Sequence, residues 1–206
     1  MQSTIYTIPL HDAFDVPGEC PFCSIQEKIE TEATEYALGP AMMEPDTRID
    51  LNKRGFCRKH FSALAQRKNK LALALVLETR LAEILRTGED ALSGECFVCN
   101  RTEQHMKRYL SNAAYMFLND ASFRMKFETR ERFCLPHVKQ LLEISKKELK
   151  RKQYAELRTA VFTVLQRDLN ALRSDARKFA DSFDYRNAGK ELGAEKDILN
   201  RAELVM

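Results

Sequence analysis

One arrangement of cysteine and histidine residues occurs twice in this sequence, and it limits the possible folds more than any other feature. Each copy consists of a Cys-x-x-Cys motif followed at long range by a Phe-Cys-x-x-His motif. The eight side chains are Cys20, Cys23, Cys57, His60, Cys96, Cys99, Cys134 and His137. All six cysteines of the chain belong to these motifs. Three sulfurs and one imidazole per copy form a typical ligand set for structural zinc, so we predict two zinc ions per chain.

The two copies keep nearly the same register. Cys20 and Cys96 are 76 positions apart, whereas His60 and His137 are 77 apart. One inserted residue in a long loop costs little, so the pattern indicates a tandem duplication of one helical unit. The predicted divisions are an N-terminal arm at 1–17, a first unit at 18–90, a second unit at 91–187 and a C-terminal tail or helix at 188–206, together forming one compact globule.

The composition favours helices. Among 206 residues, 44% are hydrophobic and 31% are charged, with only 7 glycines and 6 prolines, which is too few for a turn-rich β architecture. We therefore predict an all-α fold of two tandem, pseudo-duplicated helical units packed together, each with one zinc site. The segment from Met1 to Pro17 contains two prolines and is predicted to be a short extended arm.

Apolar residues at helical intervals, together with glycine and proline stop signals, give the approximate positions of the helices. The Gly39-Pro40 pair is predicted to end the first one. The apolar run from Leu71 to Leu77 is interpreted as a buried helix segment, since it is far too short to cross a bilayer. The predicted helices span 19–38, 57–65, 71–85, 98–118, 136–149 and 153–183.

The start of the sequence has neither a basic segment nor a long apolar stretch, so a secretory signal is not expected. We therefore predict a cytoplasmic protein with no membrane association. Thiols stay reduced in the cytoplasm, which makes a disulfide framework a less favoured use of six cysteines.

The motif spacing explains how such a site could form. Two ligands separated by two residues can reach the same metal ion, and a second pair from a distant segment completes a tetrahedron. Pairing within each half is the simpler expectation. The alternative, in which Cys20 and Cys23 meet Cys134 and His137, stays open because it gives the same ligand set.

Other uses of these residues fit the motif pattern less well than structural zinc does. A thiol–disulfide role would leave the Cys-x-x-His pairs unexplained, and an iron–sulfur cluster usually takes four thiolates. A closed set of four protein ligands leaves no position for a substrate, and the sequence has no HExxH, P-loop, GxGxxG or GxSxG motif. No catalytic residue is predicted. His11 and His105 are interpreted as structural or surface residues.

These observations favour a non-enzymatic protein that binds a protein partner or forms a homodimer. A redox-responsive zinc–thiolate switch is the first alternative. A nucleic-acid-binding regulator is less favoured, because the net charge is only +3 despite the basic segment from Lys146 to Lys152. The segment Phe183-Asp184-Tyr185-Arg186-Asn187 is interpreted either as a recognition element or, preferably, as a C-terminal lock that packs on the body.

Several motifs resemble those of a bacterial family of about this length, catalogued only as a domain of unknown function. They are the two Cys-x-x-Cys motifs, Met43-Glu44-Pro45-Asp46, Gly55-Phe56-Cys57-Arg58-Lys59-His60-Phe61, Arg132-Phe133-Cys134-Leu135-Pro136-His137 and the Phe183–Asn187 segment. The resemblance covers nearly the whole chain. It implies a mainly helical cytoplasmic protein whose duplicated motifs bind metal, and it implies no activity.

Overall fold

The computed structural model describes residues 4–89, 95–187 and 193–206. This part of the chain is helical and contains no strand, which confirms the all-α prediction. Short 3-10 segments occur at Pro40–Met43, Tyr185–Asn187 and Ala194–Asp197. The α-helices are α1 (Thr4–Asp15), α2 (Pro21–Ala37), α3 (Pro45–Arg54), α4 (Arg58–Gln66), α5 (Lys70–Thr87), α6 (Phe97–Asn119), α7 (Ala121–Thr129), α8 (Leu135–Glu148), α9 (Arg151–Asp181) and α10 (Ile198–Glu203).

The helices form two compact units. The terminal unit consists of Met1–Ile25 and Lys107–Met206, and the central unit consists of Gln26–Met106. The two boundaries fall inside α2 and α6. The compact units therefore differ in extent from the two sequence repeats. The repeat boundary at 90/91 stays a prediction, and residues 90–94 of the linker lie outside the described residues.

The prediction of an extended N-terminal arm is wrong, because Thr4–Asp15 forms helix α1 even though Pro9 lies inside it. A proline in a helix interior costs about 3 kcal/mol, since it removes a backbone hydrogen bond and crowds the preceding turn. Tertiary packing offsets this cost. Leu10 and Phe14 are buried, and Phe14 contacts the rings of four other phenylalanines, which sequence periodicity alone does not reveal.

An aromatic cluster forms the core of the terminal unit. Its six fully or almost fully buried rings belong to Phe14, Phe22, Phe117, Phe123, Phe127 and Phe133. Phe22 lies between Cys20 and Cys23 in the sequence, and Phe133 directly precedes Cys134. The rings of Phe22 and Phe133 are stacked with centroids 6.0 Å apart. The core therefore fixes both pieces of backbone that carry the cysteines of this unit.

The core of the central unit also contains a motif cysteine. Cys96 packs in a cluster that contains three alanines, whose small side chains allow the helices to approach closely. Phe56, directly before Cys57, packs against this cluster and thus has the sequence position that Phe133 has before Cys134. The buried members of the cluster are Ala33, Ala37, Ala41, Leu51, Cys96, Phe97 and Val98.

The C-terminal end packs on the terminal unit, but through residues other than those expected. Phe183 and Tyr185 are 76% and 85% exposed, so the preferred interpretation of their segment as a packed lock is wrong. Instead, Ile198 and Val205 are buried against Leu172 of α9. The Val205 carbonyl also accepts a hydrogen bond of 2.8 Å from the backbone N–H of Leu135, the first residue of α8.

We expect Phe14→Ala to lower the free energy of unfolding by about 3–5 kcal/mol, because it would leave a cavity among the stacked rings of the terminal unit. Urea denaturation followed by circular dichroism measures the loss. Phe183→Ala is the matched control and should cost less than about 1 kcal/mol, since that ring is exposed. Equal losses for the two variants would contradict this account of the core.

Candidate metal centres

All four Cys/His motifs begin a helix in the same way. In each, a cysteine directly precedes the first helical residue, and the second side chain belongs to the third helical residue. This turn is closed by backbone hydrogen bonds, such as 2.9 Å from Cys23 N–H to Cys20 O and 2.8 Å from Phe61 N–H to Cys57 O. One helical turn brings these two positions to the same side, so each motif presents two adjacent ligand atoms. The four helices are α2, α4, α6 and α8.

The terminal site is the cluster of Cys20, Cys23, Cys134 and His137, whose ligand atoms all lie within 4.8 Å of one another. The Cys23 sulfur is 3.4 Å from the Cys134 sulfur and 3.4 Å from His137 Nδ1. The Cys134 sulfur is 3.0 Å from the same nitrogen. All but Cys23 are buried. The N-termini of α2 and α8 therefore meet at this cluster.

The central site is the cluster of Cys57, His60, Cys96 and Cys99, and its ligand atoms also lie within 4.8 Å of one another. His60 Nδ1 is 3.3 Å from the sulfurs of Cys57 and Cys99 and 3.4 Å from that of Cys96. The sulfurs of Cys57 and Cys99 are 3.9 Å apart. Here the N-termini of α4 and α6 meet.

These distances match a four-coordinate metal site. Ligand atoms around a tetrahedral zinc ion, with bonds of about 2.0–2.3 Å, lie about 3.6–3.8 Å from one another. A disulfide would bring two sulfurs to about 2.05 Å, and all six cysteines are free thiols. Each cluster could hold one metal ion.

The expectation that ligands pair within each sequence half is wrong. Cys20 and Cys23 meet Cys134 and His137, and Cys96 and Cys99 meet Cys57 and His60. Each cluster thus combines the Cys-x-x-Cys of one repeat with the Cys-x-x-His of the other. The sequence could not decide this, because the motifs are equivalent in both repeats and both pairings give three sulfurs and one imidazole. Packing of the motif-flanking residues within each unit decides it.

In each cluster the ligand side chains lie so close together that they hydrogen-bond to one another and shift one another's pKa values. In the terminal site, hydrogen bonds with the thiols of Cys134 and Cys23 lower the pKa of Cys20, whereas hydrogen bonds with Cys134 and Cys20 raise the pKa of Cys23. Burial opposes protonation of His137, but hydrogen bonds with Cys134 and Cys20 outweigh it and raise its pKa to about 9. A bound cation would replace these shared protons.

The ligand groups of the central site also shift one another's pKa values. Partial burial of the sulfur and the negative charge of Cys96 raise the pKa of Cys99 to about 12. Burial also opposes ionisation of Cys57, but hydrogen bonds from the backbone N–H of His60 and from the neighbouring thiols lower its pKa. Helix N-termini favour negative charge, which suits a cluster of three thiolates around a divalent ion.

Two arginines hold the backbone of the terminal site. The Arg130 guanidinium donates to the carbonyls of Phe14, Val16 and Glu19, at 3.1, 2.6 and 2.5 Å, and so fixes the segment that leads into Cys20. Burial lowers the pKa of Arg130. Two residues before Cys134, Arg132 forms a buried bidentate ion pair with Asp168 of α9, at 2.9 and 3.2 Å.

The central site is supported differently. Glu30 of α2 accepts a hydrogen bond from Lys59 at 2.7 Å and lies 3.6 Å from His60 Nε2, the ring nitrogen that faces away from the sulfurs. A carboxylate in this position orients a ligating imidazole. Beside the cysteines, Phe97 N–H donates to Gly55 O at 3.0 Å and joins the segments next to Cys96 and Cys57. Gly55 has a φ of +64°, which favours glycine.

The sequence motifs identify the eight cluster residues but not the residues that support them. The available signal was a charged residue beside a ligand motif, as with Arg132 two positions before Cys134. Its partner Asp168 is 36 residues away, and Glu30 is separated from Lys59 by 29, so neither pairing follows from local sequence.

The architecture defines a class of all-α proteins with two Cys3His clusters, each built from two helix N-termini. The chain belongs to a family described as a family of unknown function, DUF6062, whose profile matches residues 1–94 and again residues 85–205. No curated protein and no solved structure matches the chain. Among the described residues, no helix combines the length and apolar character needed to span a bilayer.

We expect Asp168→Ala to lower the free energy of unfolding by about 3–5 kcal/mol, because it would leave the buried Arg132 charge without its partner. Thermal and urea denaturation measure the change. Asp181→Ala, which removes the exposed pair with Arg177, is the matched control and should cost less than about 1 kcal/mol. A negligible effect of Asp168→Ala would show that the Arg132 pair does not hold this segment.

Proposed function

We propose that this protein is a non-enzymatic cytoplasmic protein with two structural zinc sites, and that it serves as a protein-interaction or scaffold module. The closed ligand set of each cluster supports this most directly. Thiolate and imidazole ligands suit zinc far better than magnesium or calcium, which take oxygen ligands. Catalytic zinc keeps one position for water or substrate, whereas here four side chains per cluster converge on one point.

The positions of the ligands in the sequence suit a structural role. A metal ion in the terminal site would join Cys23 to His137, which are 114 residues apart. A covalent cross-link over a loop of about 100 residues stabilises a fold by about 4–5 kcal/mol through the entropy it removes from the unfolded chain. Zinc bound between two helix N-termini that are far apart in the sequence would stabilise the fold in the same way.

The purified protein is expected to hold about two zinc ions per chain, measured by elemental analysis together with a thiol count. Chelation should lower the melting temperature by more than about 10 °C, because folding and metal binding are coupled. Metal-free protein with six intact thiols and an unchanged melting temperature would overturn the proposal.

Paired serine substitutions test which ligands share an ion. Cys57→Ser combined with Cys96→Ser alters only the central site, so about one zinc ion per chain should remain. Cys20→Ser combined with Cys57→Ser alters both sites, and nearly all zinc should be lost. Pairing of ligands within each sequence half predicts the reverse result for these two double variants, so one measurement of zinc content separates the two arrangements.

A redox-responsive switch is a second candidate, favoured by a difference between the sites. In the central site Cys99 is exposed and Cys57 is half-buried, whereas three of the four residues of the terminal site are buried. A peroxide that oxidises two thiolates yields a disulfide and two hydroxide ions, and the site then loses its metal.

Zinc release under dilute hydrogen peroxide distinguishes the two candidates. The switch requires about one zinc ion per chain to leave quickly, and Cys57→Ser combined with Cys96→Ser should abolish that rapid phase because only the terminal site remains loaded. Retention of both ions with unreacted thiols would leave the purely structural role.

A further inference from the structure

Helix α5 exposes a row of leucines although its opposite side is buried. The interpretation of the run from Leu71 to Leu77 as a buried helix segment is therefore confirmed only in part, because the run is helical but several of its residues are exposed. Ala72, Leu73 and Val76 are buried, and Ala72 and Leu73 pack in a core cluster with Leu38 and Leu64. The exposed leucines, with exposures from 40% to 87%, are Leu71, Leu75, Leu77, Leu81 and Leu85.

The exposed positions follow a helical period. Residues 71, 74, 75, 78, 81, 82 and 85 recur at intervals of three and four over the whole helix, which is the pattern of an apolar face made for another helix. We call these seven residues the α5 face. Ala74 and Ala82 are exposed and small, so a second backbone can approach closely there. Glu78 is the one charged member.

The size of this face distinguishes it from scattered surface leucines. Its leucines, with the adjacent Leu77, expose about 500 Å² of apolar surface, which is as large as the patches that mark interaction sites on soluble proteins. Pairing of two such faces would bury about 1,000 Å² in total, near the lower limit for a specific protein–protein interface.

The charges beside the α5 face do not suit a lipid surface. Helices that bind anionic membranes carry mainly lysine and arginine around their apolar side. Here the neighbouring charges have both signs, and Arg86 already pairs with Glu83 at 2.7 Å. A protein surface that carries both signs of charge would complement the α5 face better than a lipid surface would. A second copy of the same helix provides one.

We propose that the α5 face is a homodimer interface in which the α5 helices of two chains pack antiparallel about a two-fold axis. With the two-fold axis level with residues 79 and 80, this arrangement places Lys70 of one chain near Glu89 of the other at both ends of the helix pair, and it sets Glu78 opposite the partner's Leu81 instead of its own copy. It also sets the helix dipoles in opposite directions. The inference rests on the proposed interaction role, and it names a second copy of the chain as the partner.

Sedimentation equilibrium of the zinc-loaded full chain, from about 1 to 200 µM, tests the interface. We expect a concentration-dependent dimer. Leu75→Glu combined with Leu81→Glu should raise the dimer Kd at least tenfold, and Leu199→Glu is the control because Leu199 is 69% exposed and does not belong to the α5 face. A chain that stays monomeric throughout, or a double variant that dimerises normally, would overturn the inference. Zinc content measured on the same samples separates this failure from failure of the metal proposal.

Charge reversal tests the antiparallel direction. Lys70→Glu alone and Glu89→Lys alone should each raise the dimer Kd severalfold, and the two together should restore it, because each pair is re-formed with opposite sign. In a parallel pair the same residues face their own copies, so combining the substitutions would restore nothing. Absence of rescue therefore rejects the antiparallel arrangement.

Discussion

The meeting of helix N-termini at each Cys/His cluster is the constraint on which the rest of the structure depends. An N-terminal turn offers unpaired backbone N–H groups and a favourable field for negative charge. The same motif geometry places one ligand before the helix and another at its third residue, so two helices provide four converging ligand atoms. The clusters explain why α2, α4, α6 and α8 begin where they do, and why phenylalanines are buried beside the cysteines.

The exchanged pairing changes what the duplication means physically. If each repeat bound its own metal ion, either repeat could in principle fold alone. With the ligands exchanged, each cluster needs both repeats, and the compact units are the two ends of the chain together and its middle. The family profile matches the chain twice, so the repeat remains clear in the sequence even though neither repeat contains a complete cluster.

Each cluster is supported by charged groups that contribute no ligand. Arg130 and the Arg132–Asp168 pair fix the backbone beside the terminal site, and Glu30 with Lys59 lies behind His60 in the central site. These groups have different roles in the two sites, so the duplication preserved the ligands and not their surroundings. The central site is also the more exposed of the two, which gives the sites different access to solvent.

The sequence by itself determined the helical class, most helix positions and all eight cluster residues, because helical periodicity, stop signals and the i, i+3 motif spacing are local properties. It could not determine which motifs meet, since equivalent motifs give identical ligand sets in either pairing. Helix α1 and the exposed side of α5 also depended on tertiary structure. Burial of Phe14 outweighs the cost of Pro9, and a leucine-rich helix is apolar on both sides whether or not both are covered. Packing between distant segments decides these points, and local sequence carries no signal of it.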